Sequence, residues 1–403
     1  MKTRRLLVIG HGMVAQRLLE TLVASADCPY DRIDVVSAES VPAYNRILLS
    51  SVLAGDASLD GITLKPDDWF RTRGIHRHAG DPVSVIDPAG KTATTASGQT
   101  LVWDDLVIAT GSRASRLNLP GEDLAGVYTF RDIDDTEQLV ALSQHHRRAV
   151  VIGGGFLGLE AAEGLRQRGM AVTVVHRNPW LLNRQLDPTA SGLLHQALRH
   201  RGMSLETGQS PTAILGGRRA RAVQFADDTV ISTDLVVIAT GITPNRELGA
   251  DAGLACDRGI LVDDRLRTSH PDVYALGECC QLGQDTFGLV EPGYQQADAL
   301  ARHLCGANAR FQPGDVATRL KISGIPIFSC GLNQPDEDTE SIVWHDRDTD
   351  RYCHLLLREN RLAGAVLYGE TRDGPWYHDQ LTQQNDLTAI RQQLAFGAAH
   401  CDV

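Results

Sequence analysis

Two glycine-rich turns in this 403-residue sequence have the spacing that cradles a pyrophosphate. Val8-Ile9-Gly10-His11-Gly12-Met13-Val14-Ala15 fits G-x-G-x-x-A between an apolar strand and a helical pattern. Val150-Val151-Ile152-Gly153-Gly154-Gly155-Phe156-Leu157-Gly158 is a full G-x-G-x-x-G in the same setting. In each copy the first glycine makes the tight turn and the second admits a pyrophosphate to the backbone. The third position, Ala15 or Gly158, lets helix and strand pack closely. The helix N-terminus, at Val14 or Phe156, then offers unpaired N–H groups and partial positive charge to the phosphates. The chemistry implied is dinucleotide binding, twice.

The two copies differ at the end of the next strand. After the first, Glu39 lies just beyond Val35-Val36 and is the candidate carboxylate for ribose hydroxyls; a surface carboxylate is the alternative. This copy, at the chain terminus, reads as an FAD cradle. After the second, the strand ends Val174-Val175-His176-Arg177 with no acid to repel a 2′-phosphate. His176, Arg177 and Arg184 could pair with that phosphate, so NADPH is favoured slightly over NADH. Glu160, on the first turn of the second helix, could accept a hydrogen bond from a nicotinamide amide; a charge partner of the helix N-terminus is the other reading.

The elements that must position these residues repeat as well. Strands are expected at 5–9 and 33–36 with a helix over 13–24, and again at 150–152 and 172–175 with a helix over 157–168. Each copy closes on an apolar strand running into Ala-Thr-Gly, at Ala109-Thr110-Gly111 and Ala239-Thr240-Gly241, where the chain can leave one domain for another. Hairpins are expected at 83–87 with 92–95, and at 223–225 with 230–232. Asp187-Pro188 reads as an N-cap and first helical residue of a helix to His200. Beyond residue 311 the pattern turns to short strands, such as 355–357 and 365–368, and a last helix over 387–394. The fold class is therefore α/β: two Rossmann-like domains, one inserted in the other, plus a small C-terminal α+β domain. The FAD domain takes residues 1–112 and 242–310, the NAD(P) domain 113–241 and the C-terminal domain 311–403.

Composition narrows the function classes. Fifty acidic against 39 basic residues give a net charge of −11, and basic residues gather only in short pieces such as Arg218-Arg219-Ala220-Arg221, which reads as a hairpin turn. A nucleic-acid partner is not expected. No apolar run has the length to cross a bilayer. Met1-Lys2-Thr3-Arg4-Arg5 leads into a β-strand broken by Gly10 rather than a signal peptide, so a cytoplasmic location is expected. None of the eight cysteines forms Cys-x-x-Cys, which argues against a thioredoxin-like dithiol, a zinc ribbon or the usual iron–sulfur ligand set, and no metal site is expected.

Together with Tyr44-Asn45-Arg46, Val52-Leu53-Ala54-Gly55, Arg184-Gln185-Leu186-Asp187, Gly277-Glu278-Cys279, Leu320-Lys321-Ile322-Ser323-Gly324 and Gly364–Gly369, these motifs resemble the pyridine-nucleotide-dependent flavoprotein reductases. The narrower resemblance is to the FAD-containing part of bacterial NAD(P)H nitrite reductase large subunits and to stand-alone electron-transfer subunits of assimilatory nitrate and nitrite reductases. The resemblance implies that Arg46 and Arg131 lie along FAD, that the Val83 backbone meets the adenine and that Glu278 holds the ribityl chain. It also implies that a helix after Pro292 points at the flavin, and it adds Thr110, Gly111, Gly241 and Gly277 to the cofactor-binding set.

Two departures matter. Ser51 stands where many ferredoxin reductases carry Lys, and the segment 46–53 lacks the Cys-x4-Cys pair of disulfide reductases. No acid–base catalytic dyad is evident. Electrons from NADH or NADPH are thus expected to leave the flavin directly for a redox partner, either a nitrite or nitrate reductase catalytic subunit or a small iron–sulfur carrier. The iron–sulfur and sirohaem domains of the large subunits have no counterpart in this sequence, so nitrite reduction by the chain alone is not expected. The C-terminal domain is expected to close over the flavin or to serve docking or dimer formation. A rubredoxin or ferredoxin reductase, and an FAD- and NAD(P)H-binding redox sensor, are the alternatives.

Overall fold

A computed structural model describes residues 4–315, 317–322 and 324–401. Met1, Lys2 and Thr3 of the start and Ser323 of the family segment lie outside the described residues. The chain forms two compact units. One comprises residues 1–48, 57–113 and 242–313; the other comprises 49–56, 114–241 and 314–403.

The first unit is built on a five-stranded, wholly parallel sheet. Its strands lie in the order Ile75–Ala79, Arg32–Ser37, Arg5–Ile9, Asp105–Ile108, Val273–Ala275. Alternation along Arg5–Ile9 sends Leu6 and Val8 into one core and Leu7 and Ile9 into another. Both faces are covered, so the strand reads as a continuous apolar run. On one face the helix Met13–Ala24 buries Leu18, Leu19 and Leu22 beside the helix Val290–Leu304. On the other, the antiparallel strands Val83–Asp87, Thr92–Thr95 and Thr100–Val102 bring in Ile86, Ala93 and Leu101.

The second unit repeats the plan. Its parallel sheet runs Ser204–Thr207, Ala171–His176, Arg148–Ile152, Leu235–Ile238, Val127–Thr129. The meander Pro211–Gly216, Ala220–Phe225, Val230–Ser232 packs on one face through Ile214, Val223 and Phe225. The helix Phe156–Gln167 packs against the Ala171–His176 and Arg148–Ile152 strands. The short helix Leu49–Ala54 belongs to this unit, because Leu53 fills the notch left by Gly164 and Arg168 donates to the Leu53 carbonyl.

The C-terminal part is α+β. Five antiparallel strands lie in the order Thr318–Ile322, Ile325–Gly331, Arg361–Tyr368, Arg351–Arg358, Glu340–Asp346, with the helix Gly374–Gln383 against them. The helix expected over 387–394 is replaced by two 3₁₀ turns, Thr388–Ile390 and Leu394–Phe396. The apolar spacing was real, since Leu387 and Leu394 are fully buried. However, Gln384 takes a left-handed φ of 53°, the Asp386 carboxylate caps the Thr388 N–H, and Leu387 donates to Asn360 O at 2.9 Å. These ties hold the segment in turns whose i, i+3 spacing buries the same side chains. Among the described residues no helix is long and apolar enough to cross a membrane.

Candidate functional site

Both glycine motifs fold into the same turn. Gly10 N–H donates to Val36 O at 2.8 Å, while Ala109 N–H donates to Ile9 O at 2.7 Å. Gly10 sits at φ +99°, and a β-carbon there would stand 2.2 Å from Ala109 O. In the second unit Gly153 N–H donates to Val175 O at 2.8 Å and Ala239 N–H to Ile152 O at 2.8 Å. Gly153 has φ +132°, and its β-carbon would stand 2.1 Å from Ala239 O. Only glycine fits where three strand ends converge this closely.

Gly12 and Gly155 are the N-cap residues of their helices, neither helix start has a side-chain cap, and a β-carbon at either would meet nothing within 4 Å. First-turn N–H groups are thereby offered from an unobstructed backbone, the condition for an anion to approach. Gly158 packs on Gly153 O, where a β-carbon would lie 1.9 Å away, and Ala15 is likewise buried at the helix–strand contact. Phe156 is half-exposed on the first turn.

Around the first cradle, Val14 packs against Gly277 and Gly293, where added β-carbons would lie 3.6 and 2.6 Å from it. This brings the Gly277-Glu278 turn and the start of the helix Val290–Leu304 beside the glycine loop. That helix begins two residues before Pro292, so the proline occupies its first turn. Gly277 N–H donates to Gln296 Oε1 at 2.7 Å and Ser112 Oγ to Glu278 Oε2 at 2.8 Å. Thr110 and Asn245 are locked reciprocally, hydroxyl to carbonyl and amide to carbonyl, each at 2.9 Å. Gly111, beside them, has φ +65°.

Glu39 accepts from Tyr44 Oη at 2.7 Å and pairs with Arg46, whose guanidinium lies over the Tyr44 ring. Val83 opens its strand opposite Thr95 and is half-buried. Arg131 lies in the second unit, with its backbone N–H on Asp135 Oδ2 at 2.8 Å; Arg46, Val83 and Glu278 lie in the first.

Sequence reading passed over His11. It is buried inside the first glycine loop, with Nε2 3.1 Å from Gln16 Oε1 and its ring edge-on to Phe70. Burial lowers its pKa to about 4, so the loop holds a neutral ring. The G-x-G pattern leaves that position unspecified, and nothing local indicates Phe70 as its cover.

In the second unit Glu160 is largely buried and hydrogen-bonded to Ser50; burial pushes its carboxyl up to about 7. Gly241 has φ +137° and accepts from Ser115 N–H at 3.0 Å. His176 Nδ1 accepts from Gly154 N–H at 3.2 Å, and Nε2 lies 3.3 Å from Asn183 Oδ1. Both ring nitrogens are thus engaged within the protein, and burial lowers the imidazole pKa. Arg177 and Arg184 are exposed and make no ion pair among the described residues.

The model of the pyridine nucleotide-disulphide oxidoreductase family matches residues 4–298. The chain belongs to that family. A second model, the rubredoxin NAD+ reductase C-terminal domain, matches residues 317–385. The assimilatory nitrate reductase electron transfer subunit of Bacillus subtilis is 40% identical over 395 residues, 98% of this chain and 51% of that protein. The nitrite reductase [NAD(P)H] of the same organism is 40% identical over 389 residues, 96% of this chain and 48% of that protein. The chain spans about half the length of these relatives. Among solved structures, the NADH:rubredoxin oxidoreductase of Clostridium acetobutylicum is similar with TM-score 0.81 and 26% identity, covering 97% of this chain and all of that one.

As a member of this family the chain is an NAD(P)H-dependent flavoprotein reductase, with FAD and a pyridine nucleotide as its cofactors. The two open, uncapped glycine turns fit such groups. Despite the family's name, no cysteine stands between residues 46 and 53, and among the described residues no two cysteines are joined by a disulfide. Cys279 and Cys280 are fully buried, which raises both thiols.

Proposed function

We propose that the first cradle holds FAD, that the second holds the nicotinamide nucleotide, and that the chain hands electrons to a separate protein, the catalytic part of an assimilatory nitrate or nitrite reductase. The observation that carries this reading is the duplicated turn, Gly10–Gly12 and Gly153–Gly155, each with a glycine N-cap and no side-chain cap. When bound, the nicotinamide supplies hydride and the flavin accepts it and can release electrons singly. The protein's part is to bind and orient. Helix N-termini after Gly12 and Gly155 meet pyrophosphates, and Glu39 and Glu278 serve the FAD ribose and ribityl chain. Glu160 positions the nicotinamide amide, and exposed Arg177 meets a 2′-phosphate. The absence of a Cys-x4-Cys pair supports direct exit of electrons from the flavin. Eight cysteines with no disulfide between them among the described residues suit a reducing compartment and support a cytoplasmic location.

The choice of acceptor rests on the two Bacillus subtilis relatives. The match of residues 317–385 to a rubredoxin reductase domain favours rubredoxin as the second reading. Steady-state assays of the purified flavoprotein with NADH or NADPH decide between them. Faster turnover with a nitrate or nitrite reductase catalytic subunit than with rubredoxin supports the first reading, and the reverse order supports the second. Failure to turn over any acceptor, artificial dyes included, points to a redox sensor instead.

A further inference from the structure

The segment between the second strand and the helix Pro188–His200 ties the second glycine loop to the C-terminal sheet. On the loop side, Leu182 N–H donates to Gly154 O at 3.0 Å, and Leu181 packs so closely that a β-carbon on Gly154 would lie 2.6 Å from it. Leu182 is fully buried yet has φ +51°, a conformation a branched apolar residue keeps only when its surroundings fix it. Asn183 Oδ1 accepts from Asn178 Nδ2 at 3.0 Å and faces His176 Nε2. Because Gly154 N–H donates to Nδ1, that nitrogen carries no proton. The ring is therefore the neutral Nε2–H tautomer, donating to Asn183.

On the other side the same segment is held by the C-terminal part, through Asn333 just past the strand Ile325–Gly331 and Tyr352 on the strand Arg351–Arg358. Asn333 Nδ2 donates to Asn183 O at 3.0 Å and to Leu186 O at 3.1 Å. Tyr352 Oη donates to Asp187 Oδ1 at 3.1 Å, on the carboxylate that caps Thr189 and Ala190 N–H. Asn183 thus joins two sets of hydrogen bonds, its main-chain carbonyl held by Asn333 and its side chain linked through His176 to the Gly154 amide, the middle residue of the G-x-G turn.

We propose that Asn183 and Asn333 are positioning residues for the nicotinamide nucleotide, through which the C-terminal sheet sets the glycine loop. This rests on the assignment of the second cradle to that nucleotide. His176 then serves as the loop's internal brace and leaves contact with a 2′-phosphate to Arg177.

The test uses the full-length, FAD-loaded protein with an artificial electron acceptor. Asn333→Ala is expected to raise KM for the nicotinamide nucleotide about fivefold, with kcat and bound flavin unchanged. His176→Asn, which keeps an acceptor for Gly154 N–H but is too short to span to Asn183, is expected to shift KM similarly. The double variant should fall well short of the product of the two changes. Gly155→Glu, which fills the cradle, separates the two levels. If Gly155→Glu abolishes nucleotide binding while folded Asn333→Ala and His176→Asn keep the parent KM, the positioning role is overturned alone. If Gly155→Glu also leaves KM unchanged, the cradle assignment falls and the inference with it. A drop in kcat at unchanged KM in Asn333→Ala also contradicts the proposal.

Discussion

Gly10 lies against Ala109 so closely that a β-carbon would stand 2.2 Å from the Ala109 carbonyl oxygen, whereas two residues on, at Gly12, it would meet nothing. The same turn therefore holds one glycine that the fold needs and one that it does not, which the proposed cradle leaves to the ligand. Gly10→Ala is expected to destabilise the protein by about 2–4 kcal/mol, from a left-handed φ and a backbone clash. Gly12→Ala should leave the melting temperature of the apoprotein nearly unchanged but weaken flavin retention. Thermal melting and flavin absorbance after gel filtration measure the two effects. Equal loss of stability in both variants would contradict this division.

Glu160 gives the unfolding equilibrium a pH dependence of definite sign. Burial raises its carboxyl from 4.5 to about 7, so the folded protein binds the extra proton between those values. Its contribution to stability is thus present at low pH, is lost as pH rises through that window and stays lost above it, a change of roughly 3 kcal/mol. Glu160→Gln should remove this decline. Melting of both proteins at pH 5 and pH 8 checks it, and an identical decline in the variant speaks against the carboxyl as its source.

Arg177 is exposed at the end of its strand, while neighbouring His176 has both nitrogens engaged. If a 2′-phosphate is read here, Arg177→Glu should weaken NADPH binding about tenfold and NADH binding far less. Fluorescence titration with the two nucleotides gives the comparison. Equal losses would remove Arg177 from the specificity determinants.

The cysteines should divide by accessibility. Cys279, Cys280, Cys330 and Cys353 are buried, and burial raises each thiol, whereas Cys28, Cys256, Cys305 and Cys401 are partly exposed. A thiol reagent should label only the second set in the native protein, leaving NAD(P)H oxidation intact, and all eight after unfolding. Rapid inactivation by labelling at Cys279 or Cys280 would reveal thiol chemistry that the burial argues against.

The local part of this molecule was legible because its signals are local. Gly10, Gly12, Gly153 and Gly155 announce their turns, alternation and apolar runs announce the parallel strands, and Asp187-Pro188 announces a helix start. What escaped depends on residues far apart in sequence. His11 is covered by Phe70, and Glu39 is engaged by Tyr44 and Arg46 rather than standing open. Asn183 is held by Asn333, 150 positions away. No periodicity records such partners. Residues 387–394 misled for the opposite reason, since their helical spacing is satisfied equally by short turns pinned at Asn360 and Asp386.

The central claim is tested most directly by anaerobic titration of the purified, full-length protein with NADH or NADPH while its visible flavin band is followed. The parent protein should be yellow and bleach on addition of nucleotide, and Gly155→Glu should stay yellow without bleaching. A colourless protein that takes up no FAD, or a Gly155→Glu variant that bleaches as fast as its parent, would contradict the assignment of the two cradles.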